Sequence, residues 1–337
     1  MTSGSPSPAP PSRILVVGPA WVGDMVMAQS LFAALKSRHP GTIIDVLAPR
    51  WTLPLLRFMP EIRRAIDQPL GHGQLGLATR FRLGRQLRGE GYDLALVLPG
   101  SLKAALTPYW AGIPQRRGYG GALRRLFLSD VRAKSRVPQV ESYMALIDWQ
   151  GPVPPPRLTV PPAFCTQALN KLGLSRPTQP LLAIAPGAEY GPAKRWPERH
   201  FGAVAAKRRA QGWQVWLFGS PADRTIAGQI PCDQNLAGRT SLDQAVALLG
   251  LADAVLSNDS GLMHVAAALD RPQVALFGPS DPIRTGPRNP AARVLRLGLD
   301  CSPCNKRECP LGHHRCLEEL FPEAVMAALP QNGAGPR

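Results

Sequence analysis

Short β-branched apolar runs recur along this chain, separated by longer stretches of helical periodicity, and the alternation starts twice. In the first half the runs fall at Arg13–Val17, 42–47 and 93–98, with helices expected over 24–38 and 137–149. In the second half they fall at Leu181–Ala185, 214–218, 254–257 and 273–277, with helices expected over 197–211, 241–251 and 261–269. Between the halves stands GPVPPPRLTVPP, residues 151–162, too rich in proline for a helix or a central strand. Apolar strands alternating with helices belong in parallel sheets covered on both faces. The expectation is two Rossmann-like α/β domains, 13–150 and 181–330, joined by a proline-rich linker over 151–180. With 337 residues, 45% of them hydrophobic, the chain can fill two such cores.

Ligands of open α/β sheets sit in the crevice at the carboxyl ends of the strands. Three strand ends of the second half carry suitable chemistry. APGAEYGPAKRWPERHF brings Gly187, Lys194 and Arg195; LFGSPADRT brings Gly219, Ser220 and Asp223; LSNDSGLMHVAAAL brings Asp259, Ser260, Gly261, Leu262 and His264. A helix N-terminus with free N–H groups, a hydroxyl and a lysine can hold a diphosphate without a Walker A loop. Singly, each has a plainer reading: Asp259 or Ser260 as an N-cap, His264 as an ordinary helix residue.

The first strand ends differently. GPAWVGDMVMAQSLFAALKSRHPG, residues 18–41, opens a helix with Gly23 and Asp24. Such a turn suits a phosphate, yet this one carries a carboxylate. Favourable interaction with the helix dipole would account for only about 0.3–1 kcal/mol.

Charge narrows the partners. Lys and Arg number 39 against 23 Asp and Glu, a net +16, and many of the cations lie between Arg80 and Arg136. This balance points to an anionic partner: nucleic acid, a nucleotide or an anionic membrane face. A solvated basic surface is the plainer alternative. No basic motif interleaved with aromatics supports a nucleic-acid-binding protein. No apolar stretch approaches the ~20 residues of a membrane span. MTSGSPSPAPPS lacks the basic and apolar regions of a secretory signal and reads as a disordered tail over 1–12. The chain is therefore expected in the cytoplasm.

Two enzyme classes are disfavoured by what is missing. Neither first strand is followed by G-x-G-x-x-G, which argues against dinucleotide oxidoreductases. The D-x-D pair of metal-dependent sugar transferases is also absent. A leaving diphosphate would then be neutralised by Lys194, Arg195 and a helix dipole.

GPAWVGDMVMAQSLFAAL, PLGHG at 69–73, PGAEYGPAKRWP and NDSGLMHVAAALDRPQVALFGPSDP together resemble the lipopolysaccharide heptosyltransferases, over about residues 13–296. The resemblance implies a GT-B fold, two Rossmann-like domains with parallel sheets facing a central cleft. It implies ADP-heptose as donor and, as acceptor, the first heptose of the inner core on Kdo-lipid A, with inversion at the anomeric carbon. Asp24, on the acceptor-side domain, corresponds to the proposed catalytic base. Lys194 corresponds to the donor-phosphate lysine, and Asp259, Ser260, Gly261, Leu262 and His264 to the loop and helix start holding ADP and heptose. Gly187, Arg195, Gly219 and Asp223 are further donor candidates. Some relatives place a glutamate near the ribose where the nearest carboxylate here is Asp223. The chemistry requires no cofactor, a divalent ion being an open addition, and the enzyme would sit at the inner face of the inner membrane against its anionic leaflet. A related transferase using another core position or nucleotide sugar is the alternative.

Four of the six cysteines, Cys301, Cys304, Cys309 and Cys316, fall within sixteen residues, with His313 and His314 among them. In a cytoplasmic protein such density favours thiolate ligation over disulfides. A structural zinc site is therefore one expectation, with reduced thiols or a redox-labile pair as the others.

Overall fold

The computed structural model describes residues 11–71 and 73–331. The tail expected over 1–12 lies outside the described residues except for Pro11 and Ser12, and so does His72 of the 69–73 motif. Contacts divide the chain into two compact units. One holds the residues up to Ala20 together with Ala28–Pro154; the other holds Trp21–Met27 with the residues from Pro155 onward.

In the first unit, β1 (Arg13–Val17), β2 (Ile43–Pro49), β3 (Ile62–Gln68), β4 (Leu94–Val97), β5 (Gln115–Tyr119) and β6 (Asp130–Arg132) form one parallel sheet ordered β3-β2-β1-β4-β5-β6. β1 is central, with Val17 level with Leu47 on one side and Val97 on the other. Its last four residues are buried. The winding reverses between β1 and β4, so the connections leaving their carboxyl ends run to opposite faces of the sheet and leave a crevice. Leu15, Val17, Leu47, Ala95, Val97 and Leu128 pack one core beside this sheet.

The second unit repeats the winding. β7 (Leu181–Ala185), β8 (Gln214–Leu217), β9 (Gln234–Asn235), β10 (Ala254–Asn258), β11 (Gln273–Leu276) and β12 (Ala292–Leu295) are parallel in the order β12-β11-β10-β7-β8-β9. The reversal here lies between β7 and β10, where Ala185 is level with Ser257. Ile184, Trp196, Phe201, Leu217, Leu256 and Leu276 belong to its core.

All seven expected strands form, within two residues of their expected ends. The five unforeseen ones, β3, β5, β6, β9 and β12, lie toward the sheet edges and carry few fully buried residues. Edge strands need only one apolar face, so charge interrupts their sequence signal. The stretch 151–180 is not coil throughout. Pro162–Leu172 is a helix, started by a proline at its first turn, with Ala168 and Leu169 buried. Cys165 Sγ donates to the Ala247 carbonyl at 3.5 Å.

Candidate functional site: a polar cluster at three strand ends

Adjacent strands β11, β10 and β7 of the second unit end side by side. Trp196 anchors the segment that follows β7. It is 1% exposed, its amide N–H donates to Asn258 Oδ1 at 3.0 Å, and its Nε1 donates to the Leu320 carbonyl at 2.7 Å. Asn258 in turn donates from Nδ2 to the Pro186 carbonyl at 2.7 Å, stitching the ends of β7 and β10 together.

Lys194 sits two residues before this anchor. Its Nζ donates to Asp259 Oδ2 at 2.5 Å, and Ser280, just beyond β11, donates from Oγ to the same oxygen at 2.5 Å. The pair is largely shielded, with side-chain exposures of 16% for Lys194 and 6% for Asp259. Tyr190 lies beneath two cations, Lys194 Nζ 4.9 Å and Arg307 Cζ 5.3 Å from its ring centroid. Arg195 adds a third cation whose buried Nε has no hydrogen-bond partner.

The helix Gly261–Ala268 begins immediately after Asp259 and Ser260. Ser260 is extended and its side chain makes no capping bond. The first-turn N–H groups therefore lack a side-chain acceptor from their own N-cap, the arrangement that receives an anion. His264, one turn on, is 6% exposed. Burial pushes its pKa down to about 4, Asp259 opposing that and Lys194 reinforcing it, so the ring is neutral at pH 7.

The turn that carries Asp24 packs on this same helix. A Cβ at Gly23 would stand 2.6 Å from His264 Cδ2, and one at Gly261 would stand 2.9 Å from Val22 Cβ. Two helix starts meet at backbone distance because both carry glycine. Asp24, in the first turn of the helix Val22–Arg38, is half-buried.

Gly187, Gly219 and Asp223 also come together, for a different reason. Asp223 is 7% exposed, and its Oδ2 accepts from Ser220 N and Oγ, both at 2.8 Å, in a capping box. A Cβ at Gly187 would lie 2.3 Å from the Asp223 carboxyl carbon, and one at Gly219 would lie 2.9 Å from its Cβ. The glycines at the ends of β7 and β8 make room for this carboxylate, whose Oδ2 is already engaged.

Cys301, Cys304, Cys309 and Cys316 line one cavity of about 20 Å³. Among the described residues, however, no group of three or more His, Cys, Asp or Glu is placed to hold a metal ion. Among the described residues the arrangement thus supplies no ligand set for the expected zinc site. Cys316 packs on the second unit's core, and its thiol is pushed up to about 11 by burial and then by the three neighbouring thiols. Cys309 is drawn the other way, its thiol held below the ordinary range by backbone N–H groups, His314 first.

The basic run between Arg80 and Arg136 is partly spent inside the first unit. Arg80 and Arg124 are 3% and 4% exposed. Arg117 and Arg132 pair with Asp130 and Asp148, and Arg116 donates to the Phe127 carbonyl at 2.7 Å. Arg82, Arg85, Arg88 and Arg125 remain exposed.

Ser280, Tyr190 and Arg307 were not foreseen as site residues. Ser280 had a signal, since GPSDP follows a strand with the same small and polar composition as the other strand ends. Arg307 had none: only folding brings its carbonyl to the Ala193 amide at 3.0 Å.

Comparison with known proteins identifies the family. The chain matches glycosyltransferase family 9 (heptosyltransferase) over residues 80–315. It is 44% identical to lipopolysaccharide heptosyltransferase 2 of Escherichia coli K12, the match covering 94% of this chain and 97% of that one. Lipooligosaccharide heptosyltransferase 2 of Haemophilus influenzae is 42% identical, with 94% and 98% covered. The solved structure of E. coli ADP-heptose lps heptosyltransferase II superposes with a TM-score of 0.82 at 42% identity, covering 94% of this chain and 97% of that chain. Two parallel six-stranded α/β units are the expected GT-B plan. On its matched family, its identity to these relatives and its fold, the chain is a glycosyltransferase and belongs to family 9, the heptosyltransferases.

Proposed function

We propose that this enzyme transfers L-glycero-D-manno-heptose from ADP-heptose to the first heptose of the lipopolysaccharide inner core on Kdo-lipid A, with inversion at the anomeric carbon. The observation that carries the reading is the shielded Lys194–Asp259–Ser280 cluster beside an uncapped helix start. It is a diphosphate site in a chain 44% identical to a lipopolysaccharide heptosyltransferase 2.

The roles follow from the chemistry. Lys194 and the amides of Gly261 and Leu262 hold the diphosphate, with the Ser260 hydroxyl adding a donor, and Arg195 is available as a second cation. The acceptor hydroxyl oxygen attacks the anomeric carbon from the face opposite the diphosphate. The new C–O bond forms as the bond to the β-phosphate oxygen breaks, and ADP leaves with that electron pair. Asp24 takes the hydroxyl proton as general base. Asp259 holds Lys194 in place through the 2.5 Å contact. His264, kept neutral by burial, can donate or accept one hydrogen bond but adds no charge.

The acceptor is a lipid, and we place the enzyme in the cytoplasm at the anionic inner leaflet. Among the described residues no helix is long and apolar enough to cross a membrane. Leu123 and Leu126, 67% and 68% exposed, flank the exposed Arg125. This mixture of apolar and cationic side chains suits a headgroup region.

Incubation with ADP-heptose and core acceptors that bear or lack the first heptose, followed by product mass measurement, tests the proposal. Addition of one heptose only to the heptose-bearing acceptor is expected. Addition only to the heptose-free acceptor would move the enzyme to the preceding step.

A further inference from the structure

The cysteine-rich stretch is a motif of the sequence that the transfer reaction does not use. Cys301, Cys304, Cys309 and Cys316 are half-buried and unbridged, and they line one cavity of about 20 Å³, room for roughly one water molecule. Ala193 and Pro279 wall the same cavity. Each stands one residue before a member of the Lys194–Asp259–Ser280 cluster. The thiols thus share walls with both turns.

Backbone hydrogen bonds staple the stretch to those turns. The Ala193 N–H donates to the Arg307 carbonyl at 3.0 Å, and the Tyr190 hydroxyl donates to the Asn305 carbonyl at 3.0 Å. The Asn305 N–H in turn donates to the Pro279 carbonyl at 2.7 Å, and Ser302 Oγ donates to the Gly278 carbonyl. The fit leaves no slack. A Cβ at Gly191 would stand 2.5 Å from the Arg307 carbonyl oxygen, and one at Gly278 would stand 3.0 Å from Cys316 Sγ. Close-packed contacts of this kind transmit a displacement instead of absorbing it.

The four sulfurs are not equivalent. The turn after Cys309 takes left-handed backbone at Gly312 and His314, with φ of 69° and 48°. Such turns aim successive N–H groups into one concavity, a seat for an anion. These N–H groups, His314 first, bond to the Cys309 sulfur and favour its thiolate, the nucleophilic form. Cys316 packs on the second unit's core, where burial and then the other three thiols favour its protonated form. Cys309 is therefore the nucleophile of the set, and the C-x-x-C pair Cys301 and Cys304 supplies the remaining reactive thiols of the cavity.

We infer that this stretch is an oxidant-reactive dithiol site, in which Cys309 attacks a hydroperoxide and is then bridged to Cys301 or Cys304, pulling the stretch off the turns that carry Lys194 and Ser280. With hydrogen peroxide, the Cys309 sulfur forms an S–O bond as the O–O bond breaks, and the departing hydroxide takes the Cys309 proton to become water. The second thiol then attacks the sulfenic sulfur. The S–S bond forms as the S–O bond breaks, and the second hydroxide leaves as water with that thiol's proton. Two thiols lose two electrons in all, and one peroxide becomes two waters. The bridge closes the cavity, so Ala193 and Pro279 lose the support of its far wall. The consequence for ADP rests on the diphosphate reading of Lys194; the thiol chemistry does not.

The test uses the parent chain, purified with a thiol reductant, freed of it and titrated with hydrogen peroxide, with free thiols then alkylated and mapped by mass spectrometry. A bridge from Cys309 to Cys301 or Cys304 is expected before any loss at Cys165 or Cys232, whose thiols burial holds protonated. Amide hydrogen exchange over 190–196 should quicken on oxidation and slow again on reduction, because the Ala193 N–H loses the Arg307 carbonyl. ADP affinity, read by calorimetry, should fall about 10- to 100-fold in the oxidised chain and recover with reductant. Cys309→Ser should abolish all three responses; if that variant does not fold, reversal by reductant in the parent chain decides. Loss of all six thiols at one rate would overturn the inference, as would a bridge that omits Cys309 or a stoichiometric soft metal already held by the four thiols. Unchanged exchange over 190–196 in the bridged chain, or ADP bound equally well by both states, would overturn it too. A bridge that quickens this exchange in a chain binding no ADP in either state defeats the donor reading alone.

Discussion

At the scale of single residues, the proposed donor site pairs its lysine with a shielded carboxylate. On the proposed reading, Lys194→Ala removes a phosphate contact and also leaves Asp259 uncompensated where the diphosphate would bind. ADP affinity should fall by about 10- to 100-fold, and adding Asp259→Asn to Lys194→Ala should recover part of that loss; titration calorimetry of both variants decides it. If the double variant binds ADP no better than Lys194→Ala, Asp259 is not a repulsive charge there. Asp24→Asn keeps size and capping ability but cannot take a proton. Turnover should drop roughly 10²–10⁴-fold, with ADP affinity within a few-fold of the parent. Transfer within threefold of the parent would remove Asp24 as the base. Both residues could be singled out in the sequence because each stands near a strand-to-helix turn, where ligands of open α/β sheets sit. Arg307 was obscure because it meets Ala193 only through folding, whereas Ser280 had a signal in GPSDP but its bond to Asp259, 21 residues away, had none. The role of Asp223 was legible only as a carboxylate in the right neighbourhood; its capping box with Ser220 needed coordinates.

Among elements, the first sheet is locked by a buried charge that spacing did not announce. Asp45 on β2 is fully buried and takes hydrogen bonds from Arg63 on β3 and, at 2.5 Å, from Tyr92 before β4. Arg64 stands 3.5 Å away. Burial pushes the Asp45 carboxyl up, but the bonds from Arg63 and Tyr92 and the two guanidinium charges outweigh it and hold the group below its ordinary range. Asp45→Asn should destabilise the unit by about 1–3 kcal/mol, read from denaturant unfolding. Arg63→Ala should cost less, since Arg63 is 41% exposed and Tyr92 and Arg64 still serve the carboxylate. Equal losses would show that the carboxylate is not the keystone. The central strands were legible because burial on both faces forces unbroken apolar runs. The strands β3 and β5 were not, because IRRAIDQ and QRRGY are half-exposed and read as basic surface. Several arginines of the basic run between Arg80 and Arg136 likewise brace sheet edges.

For the whole molecule, pH should act in two separate windows. His264 has a folded pKa near 4 against about 6.5 unfolded. Between those values the unfolded chain binds the extra proton, so stability falls as pH drops from about 6.5 to 4 and then levels, by on the order of 1–3 kcal/mol. Asp45, depressed when folded, adds its loss only below about 3.8, as pH falls through its folded value. His264→Gln should flatten the melting temperature between pH 6.5 and 4.5, measured by calorimetry, while leaving the steeper acid limb. The net charge of +16 should also draw the enzyme onto anionic vesicles at low salt and release it at high salt. Sedimentation that is equal on neutral vesicles would assign the excess to ordinary surface.

The grouping of Trp21–Met27 with the second unit bears on how such enzymes can be recombined. A chimera cut between Pro154 and Pro155 looks like an exchange of whole modules, one first half for another. It would in fact import a foreign helix start onto the native His264 and Gly261, because residues 21–27 travel with the first segment of sequence while keeping their contacts in the second unit. Grafts that retain Gly23 and the host's own 21–27 should express and turn over, whereas grafts with a bulkier residue at position 23 should fail however well the rest of the first unit is matched. Inheritance in this chain is therefore not strictly collinear with its domains: seven residues encoded with one half are selected by the other.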